Sequence, residues 1–213
     1  MKTLSRIALT AVAIEAAAAG IWVYVRWGRP WQMTWGASRE ELQRVYPHDE
    51  QFVLPEWNAT RAVTVAARPE QIWPFLVQIG WGRAGWYGYD WVDNGGRPSA
   101  WEILPEHQGL AVGKDFPMSP WTSMRCYDFE EQRWMLWRAG DRAGTWLWYL
   151  DPVDETHTRL ITRMRDEYRW SNPLVLPQQI ATELGDLPFM RKCMLGIKAR
   201  AERLARQQAQ DAG

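Results

Sequence analysis

The chain has 213 residues, 46% of them apolar, with 16 tryptophans and only two cysteines. Its 25 basic and 25 acidic side chains cancel and form no block of like charge, so an electrostatic footprint for nucleic acid or an anionic membrane surface is unsupported. Cys126 and Cys193 make no CxxC, and His48, His107 and His157 stand apart, so no metal or cofactor is expected and both thiols read as buried and free.

The first predicted element is the apolar run Ile7 to Val25, flanked by Lys2 and Arg6 and by Arg26 and Arg29. As a helix it spans roughly 28 Å, enough for a bilayer core. Glu15 near its middle costs on the order of 3 kcal/mol, which the aliphatic side chains about return. Residues 1–29 are therefore expected to form a single-pass membrane anchor with Trp22, Tyr24, Trp27 and Trp31 at the interface. The arginines after the run place the following domain in the cytoplasm. A cleaved signal peptide is the rival reading, but the apolar stretch IWVYV continues past the alanines where cleavage would fall.

Residues 30–58 read as a linker with one short helix, because Ser38 and Glu41 have capping-box spacing and Pro47 stops the helix. Residues 59–208 read as the folded domain, with 209–213 as a disordered tail. Arg61 to Ala66 alternates as a strand does. Pro69 opens a helix whose apolar face is Ile72, Phe75, Leu76 and Ile79. Short strands are predicted near 113–118, 122–129, 132–138, 144–151 and 156–168, joined by turns rich in Gly, Asp and Pro. In the last of these, Leu160, Thr162, Met164, Asp166 and Tyr168 share the core face, and Arg159, Ile161, Arg163, Arg165 and Glu167 face solvent. A helix over 187–207 closes the domain with Met190, Cys193, Met194, Ile197, Ala201 and Leu204 as its apolar stripe. Gly196, beside that stripe, allows close approach of backbone or ligand.

Between the first helix and the strands lies GWGRAGWYGYDWVDNGG, where Trp81, Trp86, Tyr87, Tyr89 and Trp91 alternate with glycines. Such a stretch either packs a core or rims an apolar pocket. Trp137, Trp146 and Trp148 carry the same two readings. Tyr89 beside Asp90 is the pair most able to do acid–base work. The competing role for Asp90 is to cap the short helix YDWVDN.

The segments TRAVTVAARPEQIWPFLVQIGWGRAGWYGYDWVDN, ILPEHQGLAVGKDFP and MRKCMLGIKARAE resemble a bacterial branch of the START-like superfamily, also called SRPBCC or polyketide cyclase/dehydratase-like. The likeness covers about Thr60 to Glu202 and departs from the branch pattern at Phe75, Ile79 and Asp93. It implies an α+β helix-grip fold: a curved antiparallel sheet wrapped around the long C-terminal helix, preceded here by one transmembrane helix. It further implies a cavity between sheet and helix for a lipid-, fatty-acid- or polyketide-like molecule, expected to exceed about 300 Å³. Trp81, Trp86, Tyr87, Tyr89, Trp91, Trp137, Trp146, Trp148, Thr162, Met164 and Gly196 are the expected ligand-binding residues. The function expected is a membrane-anchored binding protein; the alternative is a cyclase- or dehydratase-type enzyme using the same cavity.

Overall fold

The computed structural model describes residues 2–51, 55, 57–140, 144–167 and 175–211. Helix α1 (Lys2–Val23) runs through a π turn (Tyr24–Gly28) into α2 (Arg29–Met33). Among the described residues, no helix is long and apolar enough to cross a membrane. The expected crossing is therefore not supported; Glu15 and the alanine tract dilute the hydropathy of this segment.

Helix α3 (Arg39–Gln43) starts at the predicted capping box: Ser38 Oγ accepts the Glu41 N–H, and the Glu41 carboxylate accepts the Ser38 N–H. Strand β1 (Trp57–Val65) leads through Pro69 into α4 (Pro69–Val77). The aromatic–glycine stretch follows and contains the four-residue α5 (Asp90–Asp93). Then come β2 (Asp115–Pro117), β3 (Ser123–Glu130), β4 (Trp134–Arg138), β5 (Thr145–Pro152) and β6 (Thr158–Asp166). All pair antiparallel in the order β1-β6-β5-β4-β3-β2.

Helix α6 (Val175–Asp211) is longer than predicted and carries Pro188 within it. A proline inside a helical pattern reads as its boundary. Here the turns before Pro188 are held from outside, by Tyr24, Arg29 and Gln32 on Glu183 and by Arg61 on Asp186. Helix α6 lies across the sheet's inner face, with Met190, Cys193, Met194, Ile197 and Ala201 buried as the stripe predicts. A six-stranded antiparallel sheet gripping one long C-terminal helix is a helix-grip arrangement of the α+β class.

The sheet's outer face is not the solvated arginine face that the alternation suggests. Ala62, Leu136, Leu147 and Ile161 pack there with Tyr46 as a second core. Arg163 is buried: it donates to Thr60 Oγ1, to the carbonyls of Glu41, Leu42 and Arg44, and to Asp49. Arg159 pairs with Glu41, and Arg165 with Asp49. The segment expected as a linker supplies these partners, so it covers the sheet. Tyr168, expected on the core face, lies outside the described residues.

The open edge of β1 is also occupied. The Ala62 N–H donates to the Trp35 carbonyl at 3.1 Å. Lys198 Nζ donates to the Thr64 carbonyl, and the Ala66 N–H donates to Glu202.

Gly196 meets backbone, not open cavity: a Cβ there would stand 2.1 Å from the Tyr87 carbonyl oxygen and 2.6 Å from the Tyr87 Cβ. Gly196→Leu should therefore strain the fold instead of filling the cavity. The expected loss is about 3 kcal/mol or more of stability, measured by urea unfolding; an unchanged midpoint would overturn this placement.

Candidate functional site

A cavity of about 250 Å³ lies between the sheet and α6. The sheet contributes Trp146 from β5 and Met164 from β6. Helix α6 contributes Asp186, Phe189, Met190 and Cys193, one helical face on both sides of Pro188. Trp86, Asp93 and Met118 close it from the loops. The volume is below the expected 300 Å³ and at the small end of ligand pockets.

The cavity is small because indole fills the space behind it. Trp137 and Trp148 are fully buried, and Trp137 stacks on Phe116 at 4.3 Å between centroids. Trp146 stacks on Trp86 at 5.7 Å with an interplanar angle of 5°. The Trp146 N–H donates to Thr162 Oγ1 at 2.7 Å, and that hydroxyl donates to the Leu147 carbonyl, so Thr162 orients the cavity's indole from behind.

Of the expected binding residues, Trp86, Trp146 and Met164 come together on the cavity wall. Trp137, Trp148 and Thr162 lie in the core beneath it. Tyr87 is buried; its hydroxyl donates to the Phe75 carbonyl and accepts from Gln78, and burial pushes its pKa up. Tyr89 is exposed at the margin, its ring edge-on to Phe189 at 5.5 Å. The Trp81 ring lies over Gly95. Trp91 is 85% exposed and points away from the cavity, because α5 presents Asp93 inward and Trp91 outward.

Asp90 neither caps α5 nor faces the cavity. Its carboxylate accepts the Ser99 N–H at 3.0 Å and the Ser99 hydroxyl proton, while Ser99 Oγ accepts the Tyr87 N–H. It braces the loop. The capping role falls to Asp93, whose Oδ2 accepts the Tyr89 N–H at 2.7 Å. Asp93 Oδ1 is buried and has no partner from another side chain among the described residues. Burial raises the Asp93 pKa, and the negative charge of Asp90 adds to the effect. Burial likewise raises Asp186, against the pull of Arg61, and the Cys193 thiol.

Sequence reasoning missed Asp93, Met118, Asp186 and Phe189 as wall residues and placed Met190 and Cys193 only in the helix stripe. No local signal marked them: three-residue spacing puts Asp90 and Asp93 on one side of a helix, and the contacts of Asp90 to Ser99 are what separate their roles.

A carboxyl whose pKa is raised on folding favours the fold in its protonated form. That contribution is full below the ordinary range near pH ~4 and is lost as pH rises through the higher folded value. Asp93→Asn keeps an acceptor for the Tyr89 N–H and removes the buried charge. The variant should therefore gain stability relative to the native chain as pH rises above about 4; parallel urea-stability curves would exclude a raised Asp93.

No protein-family model and no curated relative matches the chain. Similar solved structures include protein NE0264 from Nitrosomonas europaea, at 12% identity over 74% of this chain and 99% of that one, TM-score 0.46. Another is the Polyketide_cyc-like protein Cgl2372 from Corynebacterium glutamicum, at 16% identity over 73% and 93%, TM-score 0.36. A START superfamily protein from Mycobacterium smegmatis aligns at 13% identity over 69% and 98%, TM-score 0.40. The six-stranded antiparallel sheet closed on one long helix gives this chain a helix-grip fold.

Proposed function

We propose that this chain binds a small hydrophobic molecule between its sheet and α6, and that its N-terminal helix attaches it to a bilayer. The observation that carries the binding reading is the apolar cavity, walled by two stacked indoles, three methionines and Phe189. At about 250 Å³ it fits a single-ring or short-chain molecule, or one end of a longer one. This is smaller than the whole fatty acid or polyketide that the resemblance implies.

Membrane attachment is supported by the side chains that the N-terminal segment leaves outside the fold: Val12, Ile14, Ile21, Trp22, Val25, Trp27 and Trp31 are all exposed. In flotation with lipid vesicles the full chain should rise with the lipid. Its remaining in the lipid-free fraction would sink the attachment and leave the binding reading standing.

A cyclase- or dehydratase-type enzyme is the second reading. The raised Asp93 carboxyl on the cavity wall favours it. Turnover of a cavity ligand, abolished by Asp93→Asn in a folded protein, would select it.

Mass spectrometry of ligand retained through purification tests the binding reading directly. Single-ring apolar probes should also quench or shift the emission of Trp86 and Trp146, saturating on the order of 10–100 μM. Met164→Trp, which adds bulk to the wall, should weaken that binding at least about tenfold with the unfolding midpoint retained. Unchanged binding in the variant would put the probe elsewhere.

A further inference from the structure

The cavity wall is apolar except for two carboxylates, and these are compensated unequally. Asp186 is paired with Arg61, which is fully buried and also donates through Nε to the Gln32 carbonyl at 2.9 Å. Asp93 has no lysine, arginine or histidine partner among the described residues. The charge that acts on it is Asp90, of the same sign. Its Oδ2 accepts the Tyr89 N–H, and its Oδ1 is buried with no partner from another side chain among the described residues.

A buried carboxylate oxygen without a donor is costly, and native proteins rarely leave one so. A cationic donor in the cavity would supply the counter-charge that Asp93, on its wall, lacks among the described residues. The surroundings suit a cation attached to a hydrocarbon. The stacked indoles of Trp86 and Trp146 offer aromatic surface to both parts of such a molecule. An anion would meet two carboxylates. Arg61 Nη1 has no hydrogen-bond partner among the described residues, but Arg61 is not on the cavity wall.

We propose that the cavity selects an apolar amine, whose ammonium group donates to Asp93 while its hydrocarbon or aryl portion lies against Trp86 and Trp146. This rests on the ligand-binding reading above and adds the chemical class of the ligand.

Three probes of equal size and different charge test it on the full chain at neutral pH: phenethylamine, phenethyl alcohol and phenylacetate, followed by tryptophan emission. The amine should bind at least about tenfold more tightly than the alcohol, with phenylacetate weakest. Asp93→Asn should bring amine and alcohol within about twofold of each other by weakening the amine and sparing the alcohol. Equal binding of amine and alcohol by the native chain, or tightest binding of phenylacetate, overturns the amine proposal and leaves the hydrophobic-ligand reading intact. Binding of none of the three removes both. The native ranking decides the matter even if the variant does not fold.

Discussion

Where α6 passes the loop after α4, one contact sets the spacing of everything around it. Gly196 offers no side chain, and the Tyr87 backbone takes the space. Tyr87 is held there from several directions. Its N–H reaches Ser99, its hydroxyl reaches Phe75 and Gln78, and its ring lies 4.3 Å from the Arg200 guanidinium. Arg200 is itself sandwiched, with the Trp101 ring at 4.3 Å on its other side, and donates to the Ala100 carbonyl at 2.6 Å. The helix can approach the loop only because a glycine stands at the crossing. That approach fixes how far Met190 and Cys193 sit from Trp86 and Trp146, and hence how much space stays open between them.

Two demands compete inside the sheet's concavity: to pack indole densely and to leave room. Packing wins at depth. Trp137, Trp148 and Phe116 close the interior, and the indole N–H groups of Trp137 and Trp148 have no hydrogen-bond partner among the described residues. Such groups cost on the order of 1–3 kcal/mol each when buried unpaired. The bulk of the rings, with the large apolar area each buries, offsets that cost. Room remains beside the middle of α6, where methionine, Phe189 and carboxylate join Trp86 and Trp146 in the wall.

Much of this was legible from residue spacing. The alternation in β1 and β6, Pro69 at the start of α4, the Ser38 capping box and the stripe of α6 are local patterns, and they specify local structure. What was hidden depends on distant partners. Alternation in β6 separates Arg163 from Leu160 but does not say which face meets solvent; the carboxylate of Asp49, 114 residues away, decides that. Pro188 concealed Asp186 and Phe189, because the contacts that keep the helix going before it come from the N-terminal segment and β1. In the aromatic–glycine stretch, composition named the right neighbourhood but not the orientation. Trp86 lines the wall and Trp91 stands in water because Asp90 is tied to Ser99 and turns α5 accordingly.

The contacts along the edge of β1 bear on how this chain can meet others. An unpaired edge strand is a template for a foreign strand. Here the outward groups of Ala62, Thr64 and Ala66 are taken by Trp35, Lys198 and Glu202. A Cβ at Gly36 would stand 2.1 Å from the Ala62 carbonyl oxygen, so the covering chain lies flush against that edge. At the other edge β2 is three residues long, and the Pro117 carbonyl accepts the Trp81 N–H. Extension of the sheet by a second molecule would have to displace these partners first, which shields this tryptophan-rich sheet from the runaway ladder growth that its composition would otherwise invite.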